Sequence, residues 1–437
     1  MGKSQDLYLD AKKLMPGGTQ LLSKRPEMFL PGDWPAYYSR AKGCDVWDLD
    51  GNQYKDFSYM GIGANVLGYA DDDVNSAVIK AVNQGNMCTL NAPEEVELAG
   101  ELCEIHPWAS MVKYTRSGGE AAAVAIRIAR AHTKKDIVLF CGYHGWHDWY
   151  LASNLGDESN LEGHLLPGLD PAGVPKALKG TSFPFAYNDL VALKNLMSQY
   201  AGQVAAIMME PIRNIQPKGE FLEKVSEIAK ANNVLLIYDE ISAGFRLCLG
   251  GSHLQLGTTV PDIAIFGKAL SNGYPMAAII GTQNVMQSAQ DSFISSTYWT
   301  ERIGPVAALA TLRKYKELQV EKTLELNGRR IQAAWKELAE MNNINISIKG
   351  IAPLSYFEFS YANSLELKTL FIQEMLKAGY LSTTGYYASY AHTADDITNY
   401  LLNVEKVFKK ISSAINDNKV SELLEGEICH AGFKRLS

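Results

Sequence analysis

The sequence predicts an α/β protein: a mostly parallel central sheet flanked by helices, with a smaller α+β domain formed by the N- and C-terminal segments. Three observations carry that expectation. Short aliphatic runs alternate with helical patterns through the middle of the chain, which is the rhythm of a parallel sheet with crossover helices. Those runs are apolar on both faces, as strands covered from two sides must be. The two ends of the chain read differently, with a hairpin signal in the first and a helix–strand mixture in the second.

Three zones follow, with expected boundaries at residues 1–60, 61–318 and 319–437. The first has a short polar helix, the Pro/Gly connectors "MPGGTQ" and "LPGDWP", and "AYYSRAKGCDVWDLDGNQYKDF", whose alternation around "DLDGN" predicts a hairpin. In the second, "MVKYT" precedes the helix "GGEAAAVAIRIARAHT" and "DIVLF" follows it; "VAAIMME" precedes "EFLEKVSEIAKANN"; then come "VLLIYDE", "IAIFGKA" and "MAAIIGT". The third opens with "VAALATLRKYKELQVEKTLELNGRRIQAAWKELAEM", helical throughout, and continues with the strands "ISIKG" and "LSYFEFS" and two further helices. The tail after about residue 418 is expected to be peripheral.

Composition narrows the function. Across 437 residues, 41 basic and 48 acidic side chains leave a net charge of −7 with both signs scattered. That distribution offers no electrostatic footprint for nucleic acid or an anionic membrane, and small-molecule chemistry is the expectation. The six cysteines are widely spaced without a C-x-x-C pair, which fits free thiols and neither a disulfide framework nor a thiolate metal site. The N-terminus lacks the apolar run of a secretory signal, and no stretch approaches the roughly 18 consecutive apolar residues of a membrane span. Gly2 after Met1 raises N-myristoylation, but that motif is loose and nothing else points to a membrane. A cytoplasmic location is expected.

In sheets of this kind ligands bind beyond the carboxyl ends of the strands, so the polar residues that follow each apolar run are the candidates. "MVKYT" leads to Ser117, Gly118, Gly119 and Glu120 at the start of a helix, where free N–H groups and the helix dipole favour a phosphate. On its own the segment reads first as a helix start with glycines for a tight turn. "DIVLF" leads to Tyr143 and His144; Tyr143 could stack on a ring, and the plainer reading of "YHGWHDWY" is aromatic packing with a hydrogen-bonded histidine. A zinc site at His144, His147 and Asp148 lacks both helical His spacing and a cysteine motif, so no metal is expected. Glu210 ends "VAAIMM". Asp239 ends "VLLIY", where a carboxylate either holds a heterocyclic nitrogen protonated or simply accepts backbone N–H bonds. Lys268 ends "IAIFG". A lysine desolvated near other positive charge has its pKa lowered and becomes an amine nucleophile able to form a Schiff base with a carbonyl, whereas a snorkelling side chain would need no such role.

Taken in order, "SGGEA", "YHG", "MMEP", "VLLIYDEISAGFR" and "GKALSNGYPMAAIIG" resemble the class III aminotransferases, the fold type I family of pyridoxal 5′-phosphate enzymes, and within it the glutamate-1-semialdehyde 2,1-aminomutases. The resemblance runs from about residue 14 to about residue 397. It implies that Lys268 holds the cofactor as a Schiff base and moves protons, that Asp239 pairs with the pyridine nitrogen, and that Ile241 and Tyr143 lie on opposite ring faces. It implies that Glu210 approaches the phenolic oxygen, that His144 belongs to the cofactor site, and that Ser117, Gly118 and Gly119 form the phosphate loop. The family usually has Thr or Ser at the position of Gly119. Thr297 aligns with the threonine that reaches the phosphate of a partner subunit, which implies a homodimer with shared sites.

The departures fall on expected substrate positions. Ile62 follows Gly61 where aminomutases have a serine–tryptophan pair, Lys24 with Arg25 replaces their arginine, and "YWTERIGP" introduces Glu301 and Arg302. The resemblance therefore implies an aminotransferase using an amino donor and an aldehyde or ketone acceptor, which the altered contacts suggest to be a small polyol or sugar-like carbonyl compound. The aminomutase reaction on a single substrate is the alternative. A catalytically dead fold serving as a binding protein would be expected to have lost Lys268 or Asp239, and both are present.

Overall fold

The computed structural model describes residues 2–162, 164, 168–257 and 259–432. They form two compact units, one of Met1–Asp71 with Lys322–Ser437 and one of Asp72–Glu321. The first cut falls beyond residue 60 because the chain stays tied to the N-terminal segment: Gly43 and Tyr69 exchange backbone hydrogen bonds of 2.9 and 2.7 Å, and the Tyr69 hydroxyl donates to Asp56.

From the N-terminus, α1 (Lys3–Leu14) precedes β1 (Tyr38–Lys42), β2 (Asp45–Asp48) and β3 (Gln53–Asp56). The second unit runs α2 (Asp72–Gln84), α3 (Pro93–Ile105), β4 (Met111–Thr115), α4 (Gly118–Thr133), β5 (Ile137–Cys141), α5 (Asp148–Leu151) and β6 (Ser182–Pro184). It continues with α6 (Leu190–Gln199), β7 (Val204–Met209), α7 (Phe221–Ala231), β8 (Leu235–Asp239), α8 (His253–Leu256), β9 (Ile263–Phe266), β10 (Ala277–Gly281), α9 (Gln283–Met286) and α10 (Ile303–Leu318). Beyond it lie α11 (Val320–Met341), β11 (Ile346–Lys349), β12 (Leu354–Phe359), α12 (Ser364–Lys377), β13 (Tyr380–Leu381), β14 (Gly385–Tyr387) and α13 (Ala394–Asn416).

The larger unit is organised by a seven-stranded sheet of order β4-β10-β9-β8-β7-β5-β6. β10 runs antiparallel to both neighbours, and the other pairings are parallel, so β4 points the same way as β9. Every residue of β5, β7, β8, β9 and β10 is buried, as aliphatic runs without alternation require. α4 turns a face of small residues, Ala121, Ala122, Ala125 and Ala129, towards this core, which lets it pack closely across the middle strands. Its Ile126 and Ile128 are buried as well, each contributing roughly 1.5–3 kcal/mol.

In the other unit the expected hairpin closes between β2 and β3, where Asp48 Oδ1 accepts from the N–H groups of Asp50 and Asn52 at 2.9 Å and Gly51 supplies φ +88°. β13 adds to the far side of β3 in parallel, and β11, β12 and β14 make a separate antiparallel sheet. N- and C-terminal segments thus build one α+β unit. The expected continuous helix from residue 306 to 341 is broken at Gln319, whose left-handed backbone (φ 49°, ψ 52°) separates α10 from α11. The tail is less peripheral than expected, since Cys429 is buried and donates its N–H to Thr369 Oγ1 at 3.0 Å. Among the described residues no helix is long and apolar enough to cross a membrane.

A buried polar network ties the segment after β8 to α3. Glu240 accepts from His253 Nδ1 (2.8 Å), the His253 N–H (3.0 Å) and the Ser252 hydroxyl (2.8 Å), and His253 Nε2 accepts from Trp108 Nε1 (3.1 Å). His106 donates through Nδ1 to the Leu102 carbonyl (2.9 Å) and accepts the Gly251 N–H on Nε2 (2.9 Å), so its ring is held neutral. Burial takes its pKa down to about 4. Because this folded value lies below the unfolded one near 6.5, the unfolded chain binds the extra proton first, and stability declines as pH falls through the interval, by about 3 kcal/mol at its lower end. The difference in thermal midpoint between wild type and His106→Leu should therefore narrow from pH 7 to pH 5. A difference that stays constant would remove His106 from the acid response.

Candidate active site

Five strands of the large sheet, β4, β5, β7, β8 and β9, run the same way, and Ser117–Gly119, Tyr143, Glu210, Asp239 and Lys268 stand at or just past their ends. Lys268 follows β9 through Gly267 and opens the turn Lys268–Ser271 with φ 46°, a left-handed conformation that costs a residue with a Cβ roughly 1–2 kcal/mol. Its Nζ donates to Ser242 Oγ at 2.8 Å. Burial, with the nearby charge of Arg213 and Arg246 adding to it and Glu210 and Asp239 opposing, takes the amine down to about 8. Above that pH the amine is neutral and carries a free lone pair.

Asp239 is the last residue of β8 and is buried. Its Oδ2 accepts from His144 Nδ1 at 2.7 Å and its Oδ1 accepts the Ile241 N–H at 3.0 Å. His144 is buried too, with Nε2 3.3 Å from the Cys141 carbonyl, so it orients the carboxylate from behind. Glu210, just past β7, accepts the Tyr143 N–H at 3.3 Å and pairs with Arg213 at 3.3 Å. Gly142, at φ +118°, lets the chain pass this carboxylate, since a Cβ there would lie 2.7 Å from Glu210 Oε2. Burial raises the Tyr143 hydroxyl pKa, so the side chain stays a neutral aromatic plate.

The Ser117–Gly118–Gly119–Glu120 turn starts α4 with a capping box. Ser117 Oγ accepts the Glu120 N–H at 3.4 Å, and Glu120 Oε2 accepts the N–H groups of Ser117 and Arg116, both at 2.9 Å. A Cβ on Gly118 would lie 3.1 Å from Ile241, and one on Gly267 would lie 3.0 Å from it, so Ile241 is wedged between two glycines. A Cβ on Gly145, at φ +99°, would lie 2.9 Å from Gly119 Cα. Glycine at these positions leaves a cradle of backbone N–H groups at the start of a sixteen-residue helix, which suits a phosphate. Amine, oriented carboxylate, aromatic plate and anion cradle together fit pyridoxal 5′-phosphate.

Thr297, Glu301 and Arg302 belong to the same unit, on a segment that meets the 116–120 turn through Arg116 and Glu120. Thr297 is exposed at the start of the turn Thr297–Thr300, and its carbonyl accepts from Thr300 Oγ1 at 2.9 Å. Glu301 forms an ion pair with Arg116 at 2.9 Å and accepts the N–H groups of Ile303 (2.6 Å) and Gly304 (3.0 Å), capping α10. Arg302 grips Glu94 through Nη2 at 2.7 Å and Nε at 3.1 Å. Both side chains are thus committed to structural contacts. In the other unit, Lys24 is exposed in the turn Leu22–Lys24, Arg25 is half-buried after it, and Ile62 has φ 59° between Gly61 and Gly63, both also at positive φ. Sequence reasoning missed Ser242 and Arg213. Ser242 sits one residue past Ile241 in "YDEISAGFR", a spacing that offers no sign that its hydroxyl meets the amine.

The family model for class-III aminotransferases matches residues 31–395. The chain is 32% identical over 410 residues to a 3-aminobutyryl-CoA aminotransferase of Cloacimonas acidaminovorans, covering 91% of this chain and 94% of that one. It is 33% identical over 369 residues to a glutamate-1-semialdehyde 2,1-aminomutase of Methanocaldococcus jannaschii, covering 82% and 84%. Among solved structures, the FumI protein of Sphingopyxis sp. MTA144 in its PLP internal aldimine form matches with a TM-score of 0.85 and 25% identity over 95% of this chain and 98% of that one. An ω-transaminase from Sphaerobacter thermophilus shares the fold at a TM-score of 0.82 and 24% identity, covering 94% and 98%.

The lowered lysine pKa has a measurable outcome. In protein freed of cofactor, modification of Lys268 by an amine reagent should level off above pH about 8, whereas ordinary lysines continue to gain reactivity towards about 10.4. A titration near the ordinary value would refute the charge argument. Gly145→Ala should weaken cofactor retention, because its Cβ would push on Gly119 and its φ of +99° disfavours a side chain. Unchanged cofactor content after dialysis would show that the contact is easily relieved.

Proposed function

We propose, for a chain that belongs to the class-III aminotransferases and is therefore a pyridoxal 5′-phosphate-dependent aminotransferase, that it takes an amino group from one substrate and delivers it to a separate aldehyde or ketone. The amino-transfer chemistry itself rests on the amine of Lys268, held at a lowered pKa beside an Asp239 that His144 orients. When bound, the cofactor supplies an electron sink for the bond at the amino-bearing carbon.

The chain's own residues do the rest. Lys268 exchanges between amine and ammonium near neutral pH, as a group that shuttles a proton must. Asp239 presents a fixed negative charge to a heterocyclic N–H, since His144 Nδ1–H and the Ile241 N–H hold its two oxygens. The backbone N–H groups at Gly118 and Gly119 would hold the cofactor's phosphate at the start of α4. Ser242 accepts the Lys268 amine at 2.8 Å whenever that amine is not covalently engaged.

A separate donor and acceptor is favoured over single-substrate amino transfer by the substrate-position departures at Ile62 and Lys24. The relative named a 3-aminobutyryl-CoA aminotransferase supports a two-substrate reaction and points to an amino group β to a carboxyl or thioester. A polyol or sugar-like acceptor stands as the narrower alternative. With Glu301 and Arg302 tied to Arg116 and Glu94, neither of those two residues argues for it.

The test is a two-part incubation of the purified holoenzyme. With glutamate-1-semialdehyde alone no 5-aminolevulinate should form, while a β-amino acid or its CoA thioester should change the cofactor absorbance band, and a carbonyl acceptor should restore it. Quantitative 5-aminolevulinate from the semialdehyde alone would establish the aminomutase reading instead. Lys268→Ala should abolish turnover and the borohydride-sensitive band together, and turnover retained with bound cofactor would defeat the mechanism.

A further inference from the structure

The phosphate cradle has a feature that its own loop does not explain. Ser117 turns its oxygen back onto the Glu120 N–H, and Gly118 and Gly119 carry no side chain, so the loop contributes backbone donors and little else. The volume that a side chain at position 119 would take is filled from another segment. A Cβ on Gly119 would lie 3.1 Å from His147 Cδ2 and 3.3 Å from His147 Nε2, with Trp146 Cδ1 at 3.8 Å.

The His147 ring is half-buried there. It stacks on Trp146 with centroids 4.5 Å apart and planes 20° from parallel. Its backbone, at φ −66° and ψ 155°, starts α5 without a side-chain capping bond, and no hydrogen bond joins the ring to another described residue. The close approach of Gly145 to Gly119 Cα fixes the separation between the two segments. An imidazole with an uncommitted nitrogen therefore stands over the N-terminal end of α4, where an anion is favoured.

We propose that His147 is a phosphate-positioning residue of the cofactor site, donating a ring N–H to the phosphate where the 117–119 loop has no side chain of its own. The assignment rests on the reading of the Lys268 site as a pyridoxal 5′-phosphate site. Burial lowers the pKa of His147, while Glu120 and Asp148 oppose that shift. A phosphate dianion beside the ring would favour the imidazolium further, making the contact a charge-assisted one.

Protein stripped of cofactor is titrated separately with pyridoxal 5′-phosphate and with pyridoxal, following the absorbance band that borohydride bleaches. His147→Ala should weaken binding of the phosphate ester by about ten- to a hundredfold, the loss of one charge-assisted hydrogen bond, and leave pyridoxal binding unchanged. His147→Gln, which keeps an N–H donor, and the double variant Gly119→Ser with His147→Ala, which supplies a hydroxyl, should each recover part of the loss. The phosphorus-31 resonance of bound cofactor should move in the alanine variant.

Phosphate-ester affinity within about twofold of wild type in His147→Ala would overturn the assignment, that being less than one hydrogen bond. An equal loss for both ligands would overturn it too, because it would show a disturbed site instead of a missing phosphate contact. Failure of the underlying reading looks different: the wild-type protein itself would then form no borohydride-sensitive band with either ligand.

Discussion

An amine that must lose its proton near neutral pH has to be kept where its charge is penalised, and the site around Lys268 is arranged under that constraint. The lysine stands beyond the end of a fully buried strand, with two guanidinium groups adding to the penalty and two carboxylates limiting it. Its backbone is left-handed at the start of the turn that follows, and the Ser242 hydroxyl receives the amine. Remove the carboxylates and the pKa falls further; remove the burial and the lysine becomes an ordinary surface cation. The surrounding elements set how far the balance goes.

The same edge of the sheet gathers side chains that rigid elements hold in place. Histidine behind Asp239, arginine beside Glu210 and glycines under Ile241 and Gly145 each fix one contact with rigid strand ends or helix starts. Glu301 and Arg302 belong to a different system: they fasten the start of α10 to Arg116 and Glu94. Those two residues are new to the pattern at expected substrate positions, and in this chain both are engaged in structural contacts.

Much of this was legible from residue order because the strands are short, aliphatic and followed at once by a polar or charged residue. Lys268, Asp239 and Glu210 could be picked out as polar residues ending apolar runs, and Gly118 and Gly119 as the start of α4. What the linear pattern hid were contacts between segments far apart in the chain. Nothing around Ser242 announces that it meets a lysine 26 residues on. The glycine at 119 looked like a missing hydroxyl until the His147 ring was found in its place. The helix break at Gln319 escaped because glutamine is a good helix former, yet here it caps α10 in a left-handed conformation with its N–H on the Tyr315 carbonyl. β6 escaped as well, being three residues at a sheet edge with a proline inside.

The discontinuity of the smaller unit bears on how the chain is made. Residues 72–321 are contiguous and carry their own sheet, so they can fold while the remainder is still being synthesised. The N-terminal hairpin has no such freedom: β3 pairs with β13 through Lys55–Tyr380 and Asp56–Leu381, residues that leave the ribosome only after the whole intervening unit. For that interval the edge of β3 stays open, and a nascent chain with an unpaired strand edge is a natural client for chaperones.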